Sequence, residues 1–167
     1  VCISKWKRIS PQSFKPYSKG VGGYMNSTLA KVEAVKNGYD DAIMLGDGDV
    51  VAEGSGQNVF SIKDGEITTP PIETGALGGI TRKTVLEICE ELEIKTIEKN
   101  LTVDDLKNSD ELFFTGTATE VVGVVSIDGD NISDGLPGKL TNTIRKKYLD
   151  IVNGRDNQYS HYLEKVT

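Results

Sequence analysis

The strongest limit on the fold of this chain lies in residues 41–70. Three short apolar runs, DAIMLG, DVVAEG and NVFSIKDGEITTP, follow one another with Gly-Asp and Asp-Gly steps among them. Glycine and aspartate tolerate the positive φ of tight turns, so apolar runs this short, joined this way, predict a meander of strands. A sheet must cover at least one face, and the flanking sequence indicates what covers it.

On the N-terminal side, Tyr24 to Lys36 carries Met25, Leu29, Val32 and Val35 at three- and four-residue spacing, which predicts a helix with that stripe buried and NGYDD ending it. On the C-terminal side, GGITRKTVLEICEELEI repeats the helical spacing through Val85, Leu86, Cys89 and Leu92, and KLTNTIRKKYLDIVNG reads as a closing amphipathic helix. VCISKWKRIS and KTIEKNL read as strands, TVDDLKNS as a short capped helix, and ELFFTGTATEVVGVVSIDGD as two strands broken by a Gly/Thr turn. Strands interspersed with helices in this order predict an α/β (α+β) fold, a barrel-like mixed-sheet domain with surrounding helices, rather than a doubly wound parallel sheet.

A chain of 167 residues is the size of one domain and can bury a core without metals or disulfides. Residues 1–154 read as that domain, and residues 155–167 as a polar tail, His161 included, that is expected to fray into solvent. No methionine precedes Val1, and the chain starts as a strand, so a further N-terminal domain is expected before it. The formal charge of −6, with no basic run, excludes a nucleic-acid surface. Cys2 and Cys89 lie far apart with no CxxC spacing, and fit small hydrophobes in a reducing cytosol rather than a disulfide or a zinc site. With no apolar stretch near the ~18 residues that span a bilayer and no signal-like start, the chain reads as cytoplasmic, with no membrane partner.

Four features carry possible chemistry. SKGVGG places Lys19 on a glycine-rich loop, where it is either a solvated lysine or an amine brought close to a ligand. Glu53 ends an apolar strand in VVAEGSGQNVF, either as a turn acid or as a buried carboxylate awaiting a cation. LGGITR, Leu77 to Arg82, is either an ordinary N-cap or a set of helix-start amides converging on an anion. FFTGTATE offers the hydroxyls of Thr115, Thr117 and Thr119 around Gly116, as a β-turn or as a second anion cradle. A lysine, a carboxylate and two anion cradles together form the set a pyridoxal phosphate enzyme requires: an amine to link and shuttle protons, an acid for the ring nitrogen, and donors for the phosphate.

These motifs resemble the class IV aminotransferases, the fold type IV pyridoxal phosphate enzymes, and within them the branched-chain amino-acid aminotransferases. EGSGQNVF, GEITTPP and ALGGITR are similar to the class signature, and KGVGGYMNSTLAKVEA to the segment around the cofactor-linked lysine. The resemblance runs from Cys2 to about Val152 and corresponds to the family's large C-terminal domain, without the small N-terminal domain that supplies an arginine to the phosphate and part of the substrate pocket. It implies that Lys19 links to pyridoxal 5'-phosphate, that Tyr24 donates to the cofactor's phenolic oxygen, and that Glu53 pairs with the pyridine nitrogen. Leu77 would pack on the ring face, and Ile80, Thr81 and Thr117 would bind the phosphate. The amides of Thr117 and Ala118 would meet the substrate carboxylate.

The activity implied is transfer of the amino group of leucine, isoleucine or valine to 2-oxoglutarate by a ping-pong cycle in a homodimer or higher homo-oligomer. Aminodeoxychorismate lyase and D-amino-acid aminotransferase are the alternatives on the same fold, and an inactive cofactor-binding or dimerisation module is the alternative of another class. Gln57 stands where many relatives have glutamate, and Gly78 where many have proline. Trp6 and Arg8 fall in a matching segment, and are expected to serve core packing and a surface ion pair.

Overall fold

Asp64 and Gly65 take positive φ values of 50° and 77° and close a two-residue turn between strands β4 (Asn58–Lys63) and β5 (Glu66–Thr69). Two successive positive φ values match the right-handed twist of the flanking strands, which is why Asp-Gly is favoured there. Asp128 and Gly129, at 53° and 88°, repeat the device between β9 (Ser126–Ile127) and β10 (Asp130–Asn131). The first of these turns is an expected hairpin, while the second adds a strand pair beyond the two strands expected in ELFFTGTATEVVGVVSIDGD. The Gly-Asp step after β2 (Ala42–Leu45) is not a tight turn, because a longer loop with a 3-10 turn at Asp47–Asp49 leads into β3 (Val51–Gly54).

The structure is a computed structural model that describes residues 1–164. Its main sheet has the order β6-β5-β4-β7-β8, with β6 (Thr96–Glu98) parallel to β5 and the other pairings, β7 (Glu111–Gly116) and β8 (Glu120–Gly123) included, antiparallel. A second sheet sets β1 (Cys2–Ile3) parallel to β2 and β3 antiparallel to it. The mixed α and β architecture is the expected one. Its ladders fall into three separate sheets, and no closed barrel forms among the described residues.

Side chains alternate across β4 and β7, and each face builds its own core. Phe60 and Phe113 stack with ring centroids 4.9 Å apart, and pack with Val85, Ile88 and Cys89 of α2 (Ile80–Glu91) and Ile144, Tyr148 and Ile151 of α4 (Lys139–Val152). On the other face, Val59, Leu112 and Phe114 meet Ile43, Val51 and Leu106, the last from α3 (Val103–Lys107), whose Thr102 and Asp105 form a capping box. Burial pushes the Cys89 thiol up to about 12, so this cysteine is an inert apolar filler. No helix among the described residues is long and apolar enough to cross a membrane.

Helix α1 (Met25–Lys36) lies on the second sheet the other way round from the expected orientation. Met25, Leu29, Val32 and Val35 are 67%, 39%, 46% and 58% exposed, while Ser27, Ala30 and Ala34 face inward against Ala42, Met44 and Trp6. Both stripes have helical spacing, so periodicity cannot choose between them. The small stripe wins because it lets the helix sit close to β2 while Ser27 Oγ accepts a hydrogen bond from Arg8. Leu92, likewise, is 37% exposed, and Ile88 fills the core instead.

The segment after Arg155 also differs from the expected fraying tail. Residues Asn157–Tyr162 form a 3-10 helix, Tyr159 is 6% exposed, and its hydroxyl donates to Glu91 at 2.8 Å. Lys147 pairs with both Glu91 and Asp156, at 2.6 and 2.7 Å, so a buried aromatic and a charge relay dock a stretch that composition alone reads as solvated. His161 is exposed as expected, and its ring lies 4.5 Å from that of Tyr162. Residues 165–167 of the tail lie outside the described residues.

The orientation of α1 makes a direct prediction for stability. Ala34→Leu should lower the unfolding free energy by about 1–3 kcal/mol through overpacking, whereas Val32→Ser should change it by less than about 0.5 kcal/mol. Urea denaturation of the two variants decides it, and the reverse ranking would mean that the Val32 face is the buried one.

Candidate active site

Lys19, Tyr24, Glu53, Leu77, Ile80, Thr81, Thr117 and Ala118 all line one open cavity of about 420 Å³. Four pieces of chain bring them together: the loop before α1, the end of β3, the start of α2 and the turn between β7 and β8. The floor is the rim of the main sheet, where Asn58 of β4 pairs with Thr115 of β7, beyond the point where α2 covers the Phe60 face.

Lys19 follows a 3-10 turn at Pro16–Ser18 and has a left-handed backbone with φ 48°. Such a conformation costs a non-glycine residue on the order of 1 kcal/mol. Its side chain is exposed at the cavity mouth. The glycines that follow have a packing role beyond close approach to a ligand. A Cβ on Gly20 or on Gly23 would come within 2.8 Å of the Phe14 ring, so only glycine lets the loop close over that ring. Tyr24 ends the next 3-10 turn and leads into α1. Burial raises its phenol pKa, the charge of Glu53 adds to this, and Arg8 offsets part of it.

Glu53 is 4% exposed. Its backbone is fixed by pairing with Met44, and its carboxylate has three polar partners. Arg8 Nε lies 2.9 Å from Oε1, the Leu77 amide donates to Oε2 at 2.9 Å, and Asn58 Nδ2 donates to Oε2 at 3.2 Å. Burial pushes the carboxyl up to about 7, and the Arg8 charge and the Leu77 amide hold it from rising further. Of the two readings of Glu53, the buried acid with a cation is therefore the one realised.

Arg8 is the cation, and it corrects the expectation of a surface ion pair, being only 8% exposed. Beyond Glu53, its Nε points at Gly75 O at 3.2 Å, its Nη1 donates to Ser27 Oγ at 2.6 Å, and its guanidinium lies 5.9 Å from the Tyr24 ring. A buried arginine needs a carboxylate, and a lone glutamate in an apolar run needs a cation. That rule could have matched the two in the sequence, although it does not say which of several basic residues is meant. Trp6 packs against Ala30, Ala34 and Met44 as expected.

Helix α2 takes Gly79 as its N-cap, as the ordinary reading of LGGITR expects, and since glycine has no side chain to bond them, the first amides are left without a side-chain cap. The first amides of a helix have no internal partner, and carry the positive end of its dipole. Here they front the cavity at Ile80 and Thr81. Gly79 is required, because a Cβ there would lie 2.3 Å from Asn58 Oδ1. Asn58, which no sequence motif singled out, donates to both Glu53 and Leu77 O, the latter at 2.7 Å, and so ties the acid to the helix entrance. Across the floor, Thr115 is 1% exposed and its Oγ1 has no partner, a buried hydroxyl in the wall of a cavity already rich in donors. The site thus offers a primary amine, a buried carboxylate held by an arginine, free helix-start amides, and the Thr117 turn. This donor set fits a ligand that combines a carbonyl, a basic ring nitrogen and a phosphate.

Residues 1–127 match the family model for amino-transferase class IV. A branched-chain-amino-acid aminotransferase of Pseudomonas aeruginosa is 44% identical over 145 residues, 87% of this chain and 47% of that protein. A probable branched-chain-amino-acid aminotransferase of Aquifex aeolicus is 40% identical over 165 residues, 98% of this chain and 53% of that protein. Among solved structures, the branched-chain amino acid aminotransferase from Thermobaculum terrenum in its PLP-form superposes with a TM-score of 0.94 at 38% identity, covering 98% of this chain and 53% of that one. The chain spans about half the length of the relatives it matches. By sequence, by fold and by the residues that meet in its cavity, it belongs to the class IV aminotransferases.

Proposed function

We propose that this chain forms the cofactor-binding part of a pyridoxal phosphate-dependent aminotransferase that moves the amino group of a branched-chain L-amino acid to 2-oxoglutarate. The observation that carries the reading is the buried Glu53–Arg8 pair in the same cavity as Lys19 and the uncapped start of α2. The names of the relatives support the branched-chain assignment. A second copy of the chain is the proposed partner.

When bound, pyridoxal phosphate supplies an electron sink for the carbon bearing the amino group. Glu53 Oε1 and Oε2 hold a negative charge at the floor, where it keeps a ring nitrogen protonated. The amides of Ile80 and Thr81, with the Thr117 hydroxyl, bind the phosphate. Leu77 would pack on the ring face, and the phenol of Tyr24 would donate to the ring's oxygen. Lys19 Nζ is the proton carrier, taking the proton from the substrate Cα and returning it on the other side of the exchange. The Thr117 and Ala118 amides orient the substrate carboxylate.

Two outcomes test this. Borohydride reduction after addition of pyridoxal phosphate should place the label on Lys19, and Lys19→Ala should lose both the label and at least about 10³-fold in nitrogen transfer from leucine to 2-oxoglutarate, in line with the usual worth of a positioned proton carrier. Labelling spread over surface lysines would overturn the assignment, and pyruvate released from aminodeoxychorismate would move the reading to the lyase. The second outcome concerns pH. Because burial raises the Glu53 carboxyl from 4.5 to about 7 in the cofactor-free protein, its stabilising contribution is full below pH 4.5 and is lost as pH rises towards 7. Melting curves should therefore show a decline over that window that Glu53→Gln lacks. Carbon NMR of labelled glutamate should show the midpoint falling when the cofactor brings a ring cation against it. A Glu53 midpoint near 4.5 in the empty protein would contradict the raised value.

A further inference from the structure

Glu53 and Asn58, the two side chains that meet Leu77 at the cavity floor, stand on either side of the turn Gly54–Gln57. That turn is closed by the Gly54 amide bonding to Gln57 O at 2.7 Å, and two of its four residues are glycines. Glycine gives little conformational preference, so a turn of this composition takes its rigidity from outside contacts.

The contacts come from Asp41, one residue before β2 and 6% exposed. Its Oδ1 accepts from the Ala42 amide at 2.8 Å and from Ser55 Oγ at 2.5 Å. Its Oδ2 accepts from Gln57 Nε2 at 2.9 Å and from Lys31 Nζ at 2.8 Å. The Gln57 side chain closes the circuit by accepting from the Gly56 amide at 3.0 Å. Burial alone would raise the Asp41 pKa, but the bonds from Lys31, Ser55, the Ala42 amide and Gln57 outweigh it and hold the carboxyl below its ordinary value. Asp41 does not line the cofactor cavity. Gln57 stands in the wall between that cavity and a second hollow of about 400 Å³, which Asp41 lines.

We propose that Asp41 is a positioning residue for the active site: by gripping Ser55 and Gln57 it holds the Gly54–Gln57 turn in the one arrangement that lets Glu53 and Asn58 meet Leu77. The consequence for cofactor affinity rests on the proposed function, whereas the consequence for the turn does not. A carboxylate is required because all four partners are donors, two on each oxygen. An asparagine would still accept on one side, but would turn its own amide against Gln57 Nε2 and Lys31 Nζ.

The test compares Asp41→Asn, Ser55→Ala/Gln57→Leu, Lys31→Met and the exchanged pair Asp41→Asn/Gln57→Glu by amide hydrogen exchange of the cofactor-free protein and by titration with pyridoxal phosphate. Asp41→Asn and the Ser55/Gln57 variant should speed exchange at residues 53–58 about tenfold, and weaken cofactor binding about tenfold. Lys31→Met should change both by less than Asp41→Asn does, because it removes the contact to α1 and leaves Ser55 and Gln57 bonded to the carboxylate. The exchanged pair should recover both, since the carboxylate introduced at position 57 accepts what the amide introduced at position 41 donates. A lower melting temperature of Asp41→Asn with unchanged exchange at residues 53–58 would overturn the proposal, as would Lys31→Met reproducing the whole effect. Should wild-type protein not bind pyridoxal phosphate, the proposed function fails, and the exchange data still decide the role of Asp41.

Discussion

The Arg8–Glu53 pair is the contact on which the site depends. It joins the segment after β1 to the end of β3, and through Gly75 O and Ser27 it also reaches the approach to α2 and the inner face of α1. Burying two charges costs several kcal/mol per ion and is offset only where geometry and further hydrogen bonds are good. Here Arg8 has three polar neighbours and Glu53 three donors, so the arrangement satisfies both. Removing one partner alone would leave a buried uncompensated charge, at a cost of about 3–5 kcal/mol.

The rest of the fold explains how a charge pair can sit there. The main sheet is covered on one face by α2 and α4 and on the other by Val51, Ile43 and α3, and its rim at Asn58 and Thr115, though buried, faces the cavity rather than a packed helix. The candidate cavity lies against this rim. Its polar groups follow from the same cause: a sheet end and a helix start both expose backbone donors and acceptors that a continuous core would have paired.

Much of this was legible in the sequence. Asp64-Gly65 and Asp128-Gly129 specify their turns chemically, and the capping residues of TVDDLKNS specify their helix, so these elements appear where local chemistry places them. The candidate site residues also meet in one cavity, because the motifs that carry them record a shared three-dimensional arrangement. What was illegible depends on tertiary choices. Two helical stripes compete on α1, and only the Arg8–Ser27 bond and the close approach to β2 decide for the smaller one. Tyr159 docks because Glu91 and Lys147, both distant from it in sequence, receive the segment that carries it. Arg8 reads as a surface charge until Glu53 is seen to be buried beside it.

The placement of groups separates what must stay still from what must move. Glu53 is on a strand, Ile80 and Thr81 are on a helix, and Asn58 is on a second strand, each held by ladder or helix bonds that open only when the surrounding structure opens. Lys19 is on a loop of short 3-10 turns between Pro16 and Tyr24, exposed, with its own backbone in a left-handed conformation and glycines following. In the proposed reaction, a group that carries a proton between two positions on a bound molecule gains from a flexible stem, while the groups that fix that molecule lose by any freedom at all. The glycines of SKGVGG let the loop fold tightly over Phe14, and the lysine ahead of them stays exposed beside the cavity.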